Sequence, residues 1–132
     1  EMSRLSGLSV SEIEANRQKA ISDFCKKYNV SVLLKGHRTL ICNASGDQLY
    51  VNTTGNSALA KGGAGDLLTG IIAGLTPALK GNTFDAGVLG AFVHGLSADI
   101  ATQSMSEYSV LPSDCAKRLG EVYYTIEKSG NS

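Results

Sequence analysis

Three glycines, Gly62, Gly63 and Gly65, stand directly ahead of the acidic Asp66 and the apolar run that begins at Leu67. Glycine lets the backbone turn sharply and lets a ligand approach the main chain closely. If a helix starts here, its unpaired amides and the positive end of its dipole favour a phosphoryl group at that point. A carboxylate repels bound phosphate, so the useful partner for Asp66 is a neutral hydroxyl. Asp66 would take its proton while the amides hold the charge forming on phosphorus. The same residues also describe a glycine-rich helix start that Asp66 merely caps. No Lys-Ser or Lys-Thr pair follows the last glycine, so this is not a P-loop. No strand leads directly into it, so it is not a dinucleotide fingerprint either.

A second group is Lys35, Gly36, His37, Arg38 and Thr39, after a short apolar run. Open α/β sheets place ligands at the ends of strands, and Lys, Arg and Thr there can meet phosphates by charge and hydrogen bonds. A polar turn between two strands has the same composition. His94 lies in a small, apolar segment and reads as a structural histidine satisfied by a backbone or side-chain partner, and Asp99, five residues on, forms no pair with it. The cysteines read as inert small residues.

These groups need elements to hold them. Ser11-x-x-Glu14 has capping-box spacing and predicts a helix that turns Ile13, Ala20, Ile21, Phe24, Cys25 and Tyr28 to one face and ends at Asn29. Residues 30–34 read as a strand buried on both faces, as in a parallel sheet. Residues 39–42 and 49–52 read as a hairpin turned by Ser45, Gly46 and Asp47. After a loop over 53–65, one helix runs from about Gly65-Asp66 to Pro77. Another covers 84–104, capped by Thr83 and buried nearly all round. A last one starts near Ser113 with Ala116, Leu119, Val122, Tyr123 and Ile126 inward. So little sheet cannot cover so many apolar helices. The expectation is that strands preceding Glu1 complete it, the alternative being neighbouring chains.

The chain has 132 residues, 42% hydrophobic and 18% charged, which suits one domain with a core and excludes a disordered or fibrous chain. Twelve Lys+Arg balance twelve Asp+Glu, which argues against a nucleic-acid partner held by phosphate neutralisation and against a basic membrane-surface module. The best apolar run, residues 67–79, is cut by Gly70, Gly74 and Pro77 and is shorter than the roughly 20 residues of a membrane span. Cys25, Cys42 and Cys115 fit neither a disulfide framework nor a zinc pattern, and the opening residues lack a signal-peptide pattern. A cytoplasmic location is the expectation.

Four blocks together resemble the NAD(P)H-hydrate dehydratase family, a branch of the ribokinase-like fold. They are residues 33–39, Asn52-Thr53-Thr54-Gly55-Asn56, residues 62–75 and residues 94–99, in the family's order and spacing over residues 1 to about 126. The resemblance implies an α/β fold, a ribokinase-like three-layer α/β/α sandwich. Residues 1–132 would be the C-terminal part of that single domain, with few strands and about four helices. It also implies repair of damaged cofactor. Members dehydrate the S epimer of hydrated NADH or NADPH, using a nucleotide phosphate to turn the hydroxyl into a leaving group.

By position in the family motifs, Lys35, Gly36, His37, Arg38 and Thr39 would hold the nucleotide together with Asn56, Gly62, Gly63, Ala64 and Gly65. Asp66 would bind the hydrated nicotinamide and act as base. The Asn-x-Thr-Gly-Asn lead-in resembles bacterial members, which use ADP, whereas eukaryotic relatives use ATP. Mg²⁺ is expected to come with the phosphates. Two residues depart from the family pattern: Ala64 stands where Ser or Thr is frequent, and Lys61, where a small residue is frequent, is expected to add charge near the phosphates. The implied partners are the substrate, the nucleotide, the N-terminal half of the same domain and further copies of the chain. The isolated 132 residues are expected to be inactive. Two other readings stay open: a ribokinase-like vitamin-precursor kinase, a group that tends to carry cysteine at the position of Asp66, and a non-catalytic nucleotide-binding module.

Overall fold

Ser9, not Ser11, opens the first long helical stretch. The computed structural model describes residues 1–130. A short α1 (Met2–Ser6) ends at the left-handed Gly7, and α2 (Val10–Ala15) follows. The Ser9 hydroxyl accepts the Glu12 amide while the Glu12 carboxylate accepts the Ser9 amide at 2.8 Å. The Ser-x-x-Glu spacing occurs twice, two residues apart, and the expected Ser11/Glu14 pair falls inside α2, past the cap position that Ser9 occupies. Asn16 then breaks the run and caps α3 (Arg17–Tyr28) by accepting the Lys19 amide at 3.0 Å. α3 ends at Asn29 in the left-handed conformation, φ 52°.

β1 (Val32–Leu34), β2 (Leu40–Cys42) and β3 (Leu49–Val51) form one antiparallel sheet in the order β1-β2-β3, with Leu33 opposite Ile41 and Ile41 opposite Tyr50. β2 and β3 make the expected hairpin. β1 departs from expectation: it pairs antiparallel at the sheet's edge and is half-buried, while the central β2 is buried throughout. Alternation along β2 decides which helix each side chain meets. Leu40 and Cys42 pack with Ile21 and Cys25 of α3. Ile41 points the other way, against Gly87 of the helix on the opposite face, where a Cβ would come within 3.1 Å of it. The sheet is thus a middle layer.

That opposite helix is α5 (Thr83–Ala101), which packs along α4 (Ala64–Ala78). Their close approach rests on Gly90, where a Cβ would lie 2.5 Å from Ile72. α5 is capped by Asn82, whose side chain accepts the Asp85 amide at 3.1 Å; Thr83 is already helical. The expected last helix is divided at Arg118 into α6 (Pro112–Lys117) and α7 (Leu119–Gly130). Val122 is buried, but Tyr123 is 36% exposed and does not turn inward: the buried face of α7 runs through Leu119, Val122 and Ile126, and Tyr123 lies at its rim. The breaks at Asn16 and Arg118, with the added α1, give seven α-helical segments among the described residues.

Candidate active-site cleft

The turn between β1 and β2, the loop after β3 and the start of α4 line a cleft of about 820 Å³. The turn carries Lys35, Gly36, His37, Arg38 and Thr39, and Arg17 on α3 holds it from behind. Arg17 donates from Nη1 to the His37 carbonyl (2.9 Å) and from Nη2 to the Leu34 and Lys35 carbonyls (3.3 and 3.2 Å). Gly36 is required here: its φ is 150°, and a Cβ would sit 2.7 Å from the Arg17 guanidinium. Lys35, His37 and Arg38 are left exposed at the mouth of the cleft, with Thr39 half-buried beside them.

The loop after β3 is fastened to α5. Asn52 is buried, and its Nδ2 donates to the Ala91 carbonyl at 3.3 Å, while the Thr54 hydroxyl donates to the Phe92 carbonyl at 2.9 Å. Gly95 permits this contact, since a Cβ there would lie 2.1 Å from Thr54 Oγ1. One turn on, the Asp99 carboxylate accepts the Gly55 amide at 2.8 Å and the Asn56 side-chain amide at 2.9 Å. Asn56 Oδ1 accepts the Ala58 amide at 3.0 Å and opens a short 3₁₀ helix, Ser57–Leu59.

Gly63, with φ 87°, is the N-cap of α4 and brings no side-chain cap. Of the first-turn amides, Ala64 reaches the Lys61 carbonyl (3.3 Å) and Leu67 the Gly63 carbonyl (3.0 Å). Those of Gly65 and Asp66 have no partner among the described residues. Ala64 and Gly65 line the cleft, and a Cβ built on Gly65 would lie 3.3 Å from Lys35 Nζ. The basic turn and the uncapped helix therefore meet at one point. Gly62 and Gly63 are exposed and lie outside the lining; they shape the approach to the helix. Asp66 also lies outside the lining, one residue past Gly65, exposed and without a side-chain hydrogen bond or ion pair among the described residues.

The Lys61 ammonium does not reach freely into the cleft but is held in place, donating to the carbonyls of Glu107, Tyr108 and Val110. His94 also differs from expectation. It is 7% exposed, lines the cleft, and its Nε2 is buried without a hydrogen-bond partner. Burial holds its pKa below the ordinary value, with the Ala64 carbonyl opposing. All three cysteines are buried free thiols. Cys25 is pushed up to about 12 by burial and by Cys42 beside it, and Cys115 is raised by burial.

Asp99 and Arg17 are the positioning residues that sequence reasoning missed. For Asp99 a signal existed, because a carboxylate on a helix of small apolar residues has to face a polar partner. Arg17 gave none, since its partners lie far along the chain. No group of three His, Cys, Asp or Glu side chains suited to a metal ion occurs among the described residues, and no described helix is long and apolar enough to cross a membrane.

The family model described as NAD(P)H-hydrate dehydratase matches residues 1–120. The chain belongs to this family. The family member described here is 36% identical over 129 residues to the bifunctional NAD(P)H-hydrate repair enzyme Nnr of Moorella thermoacetica, covering 97% of its own length and 24% of the relative's. It is 41% identical over 104 residues to the ADP-dependent (S)-NAD(P)H-hydrate dehydratase of Neisseria meningitidis, covering 79% of itself and 34% of that protein.

Among solved structures it resembles the ADP/ATP-dependent NAD(P)H-hydrate dehydratase of Bacillus subtilis, co-crystallised with ATP/Mg²⁺ and soaked with CoA. The TM-score is 0.81 and the identity 31%, over 93% of this chain and 45% of that one. This dehydratase-family chain thus has the ribokinase-like α/β fold and spans less than half the length of each of these three relatives. Their names do not favour the vitamin-precursor kinase alternative.

Proposed function

We propose that the protein carrying this chain dehydrates the S epimer of hydrated NADH or NADPH, with ADP or ATP as co-substrate. The observation that supports this most is the meeting of Lys35 Nζ with the uncapped start of α4 at Gly65, next to an Asp66 whose side chain has no partner among the described residues. The residues fit a nucleotide's phosphates. The amides of Gly65 and Asp66 have no acceptor among the described residues, and Gly65 has no side chain to fill the space. Lys35 and Arg38 bring positive charge, and Arg17 and Asp99 fix the two flanking loops. Relatives named ADP-dependent, and one crystallised with ATP/Mg²⁺, support the nucleotide. Mg²⁺ would be held chiefly by the phosphates, whose charge it would help neutralise.

In this reading Lys35, Gly36, His37, Arg38 and Thr39, with Asn56, Ala64 and Gly65, hold the nucleotide, and Gly62 and Gly63 shape the turn into the cradle. Ala64 lacks a hydroxyl but leaves the main-chain donors intact. Asp66 takes the proton of the substrate hydroxyl as its oxygen bonds to the terminal phosphorus, and the nucleotide departs one phosphate shorter. Loss of that phosphate, with a proton from the adjacent ring carbon, restores the double bond of NAD(P)H. The rest of the domain supplies the substrate's side of the cleft. The reaction belongs in the cytoplasm, where buried thiols stay reduced.

The test is recovery of NADH absorbance from its S hydrate by the full-length protein with ADP and Mg²⁺, and none without nucleotide. Nucleotide binding without recovery would overturn the reading. Accumulation of a stable phosphorylated alcohol would favour the kinase instead.

A further inference from the structure

The ammonium of Lys61 sits among three main-chain carbonyls, those of Glu107 (3.0 Å), Tyr108 (2.9 Å) and Val110 (2.5 Å). An ammonium has three N–H donors and no acceptor, so the three oxygens saturate it. Among the described residues these carbonyls accept from no other donor. The segment folds to present them: the amides of Ser109 and Val110 both turn back to the Ser106 carbonyl, at 2.8 and 3.2 Å. Among the described residues no carboxylate forms an ion pair with Lys61, so its charge is solvated by carbonyl dipoles rather than neutralised. Clustered carbonyl oxygens are the means by which proteins replace the hydration shell of a potassium ion.

This cage lies directly behind the glycine segment. Lys61 precedes Gly62 and Gly63 in the chain, the Ser57 hydroxyl donates to the Glu107 carboxylate, and a Cβ on Gly63 would meet the Pro112 ring at 3.5 Å. We propose that the three carbonyls form a monovalent-cation site whose occupant is built into the chain, the Lys61 ammonium standing where free potassium or ammonium would otherwise bind. The site fixes residues 106–110 against the glycine segment and keeps one uncompensated positive charge beside the start of α4.

A simple tether would bind the same carbonyls, and salt distinguishes the two. The full-length wild type is expected to melt at the same temperature in potassium chloride and in choline chloride of equal ionic strength. Lys61→Ala, which empties the cage, is expected to melt several degrees lower in choline. At about 100 mM potassium or ammonium it should regain at least half of that loss, since a ligand that binds only the folded state stabilises it by mass action. Equal destabilisation of Lys61→Ala in every salt, or a potassium requirement already present in the wild type, would overturn the proposal.

Lys61→Gln guards against an alanine variant that fails to fold, because it keeps two N–H donors for the carbonyls but no charge. It should fold, gain nothing from potassium and bind ADP several-fold more weakly than wild type. Unchanged ADP affinity would reduce Lys61 to a tether. Only this last readout rests on the nucleotide reading above. If the wild type bound no nucleotide, that reading would fail while the melting comparison still judged the cation site.

Discussion

The Asp99 carboxylate accepts the backbone amide of Gly55 at 2.8 Å, joining two residues 44 apart in the chain. The other carboxylate oxygen takes the Asn56 side-chain amide, so one half-buried group fixes two successive residues of the loop that walls the cleft. Two donors therefore converge on Asp99. Hydrogen bonds to a charged acceptor are worth about 1.5–3 kcal/mol. Asp99→Ala is expected to lower the melting temperature and weaken ADP binding about tenfold, through the loosened loop. Asp99→Asn offers only one acceptor oxygen and turns its own NH₂ toward a donor, so it should recover less than half of either loss. Calorimetric titration and thermal melting of the three proteins measure this.

Two glycines of the site predict opposite results from the same substitution. Gly65 lies inside the first turn of α4, and a Cβ there meets only the flexible end of Lys35 at 3.3 Å. Alanine gains roughly 0.5–1 kcal/mol over glycine in a helix. Gly65→Ala should therefore melt as high as wild type or higher, while its methyl group takes the space a phosphate needs and ADP affinity falls tenfold or more. Gly95→Ala puts a methyl carbon 2.1 Å from Thr54 Oγ1 and 2.6 Å from the Thr54 carbonyl carbon. Rigid backbone cannot yield that far, so this variant is expected to lose several degrees of melting temperature or to be insoluble.

Why some features were legible in the sequence and others were not follows from the range of the forces that set them. The hairpin, the left-handed end of α3 at Asn29 and the glycine turn before Asp66 are local, written in residue types that favour one backbone conformation. The cap of α2 is local too, but two Ser-x-x-Glu registers compete, and the chain enters the helix at Ser9, in the register that packs Ile13 with Met2 and Ala20. Burial of β1 depends on what lies beside its open edge, which no residue of β1 encodes. The meeting of Lys35 with Gly65, and the roles of Arg17, Asp99 and Lys61, are products of tertiary approach. Sequence supplied the candidate groups, and the close packing of α5 against the Asn52–Gly55 loop brought them together.

Asp66 is exposed and bonded to nothing among the described residues, so its removal carries little structural cost. Asp66→Asn should melt within a degree or two of wild type. It should bind ADP equally well or somewhat more tightly, because a negative charge near the phosphates is gone. Turnover of the hydrate should drop by about 10²–10⁴, the usual contribution of a positioned base. Steady-state kinetics set beside calorimetry separates the two effects: kcat falls and nucleotide affinity does not. Full activity in this variant would remove Asp66 from the reaction.

His94 predicts the acid limb of the stability curve. Burial disfavours its charged form, so the folded protein takes up this proton only below the ordinary value of 6.5, while the unfolded chain takes it up at that value. In the interval between, the unfolded state carries more protons and stability falls as pH falls; above 6.5 the contribution is fully present. The depressed carboxyls of Asp47 and Asp114 lose their contributions only below the ordinary 3.8, outside this window. Wild type should therefore lose melting temperature steadily from pH 7 to pH 5. His94→Gln, which has no titrating group, should start lower and stay flat over the same range. An equal slope in both proteins would show that the unpartnered Nε2 in the cleft wall is not the group responsible.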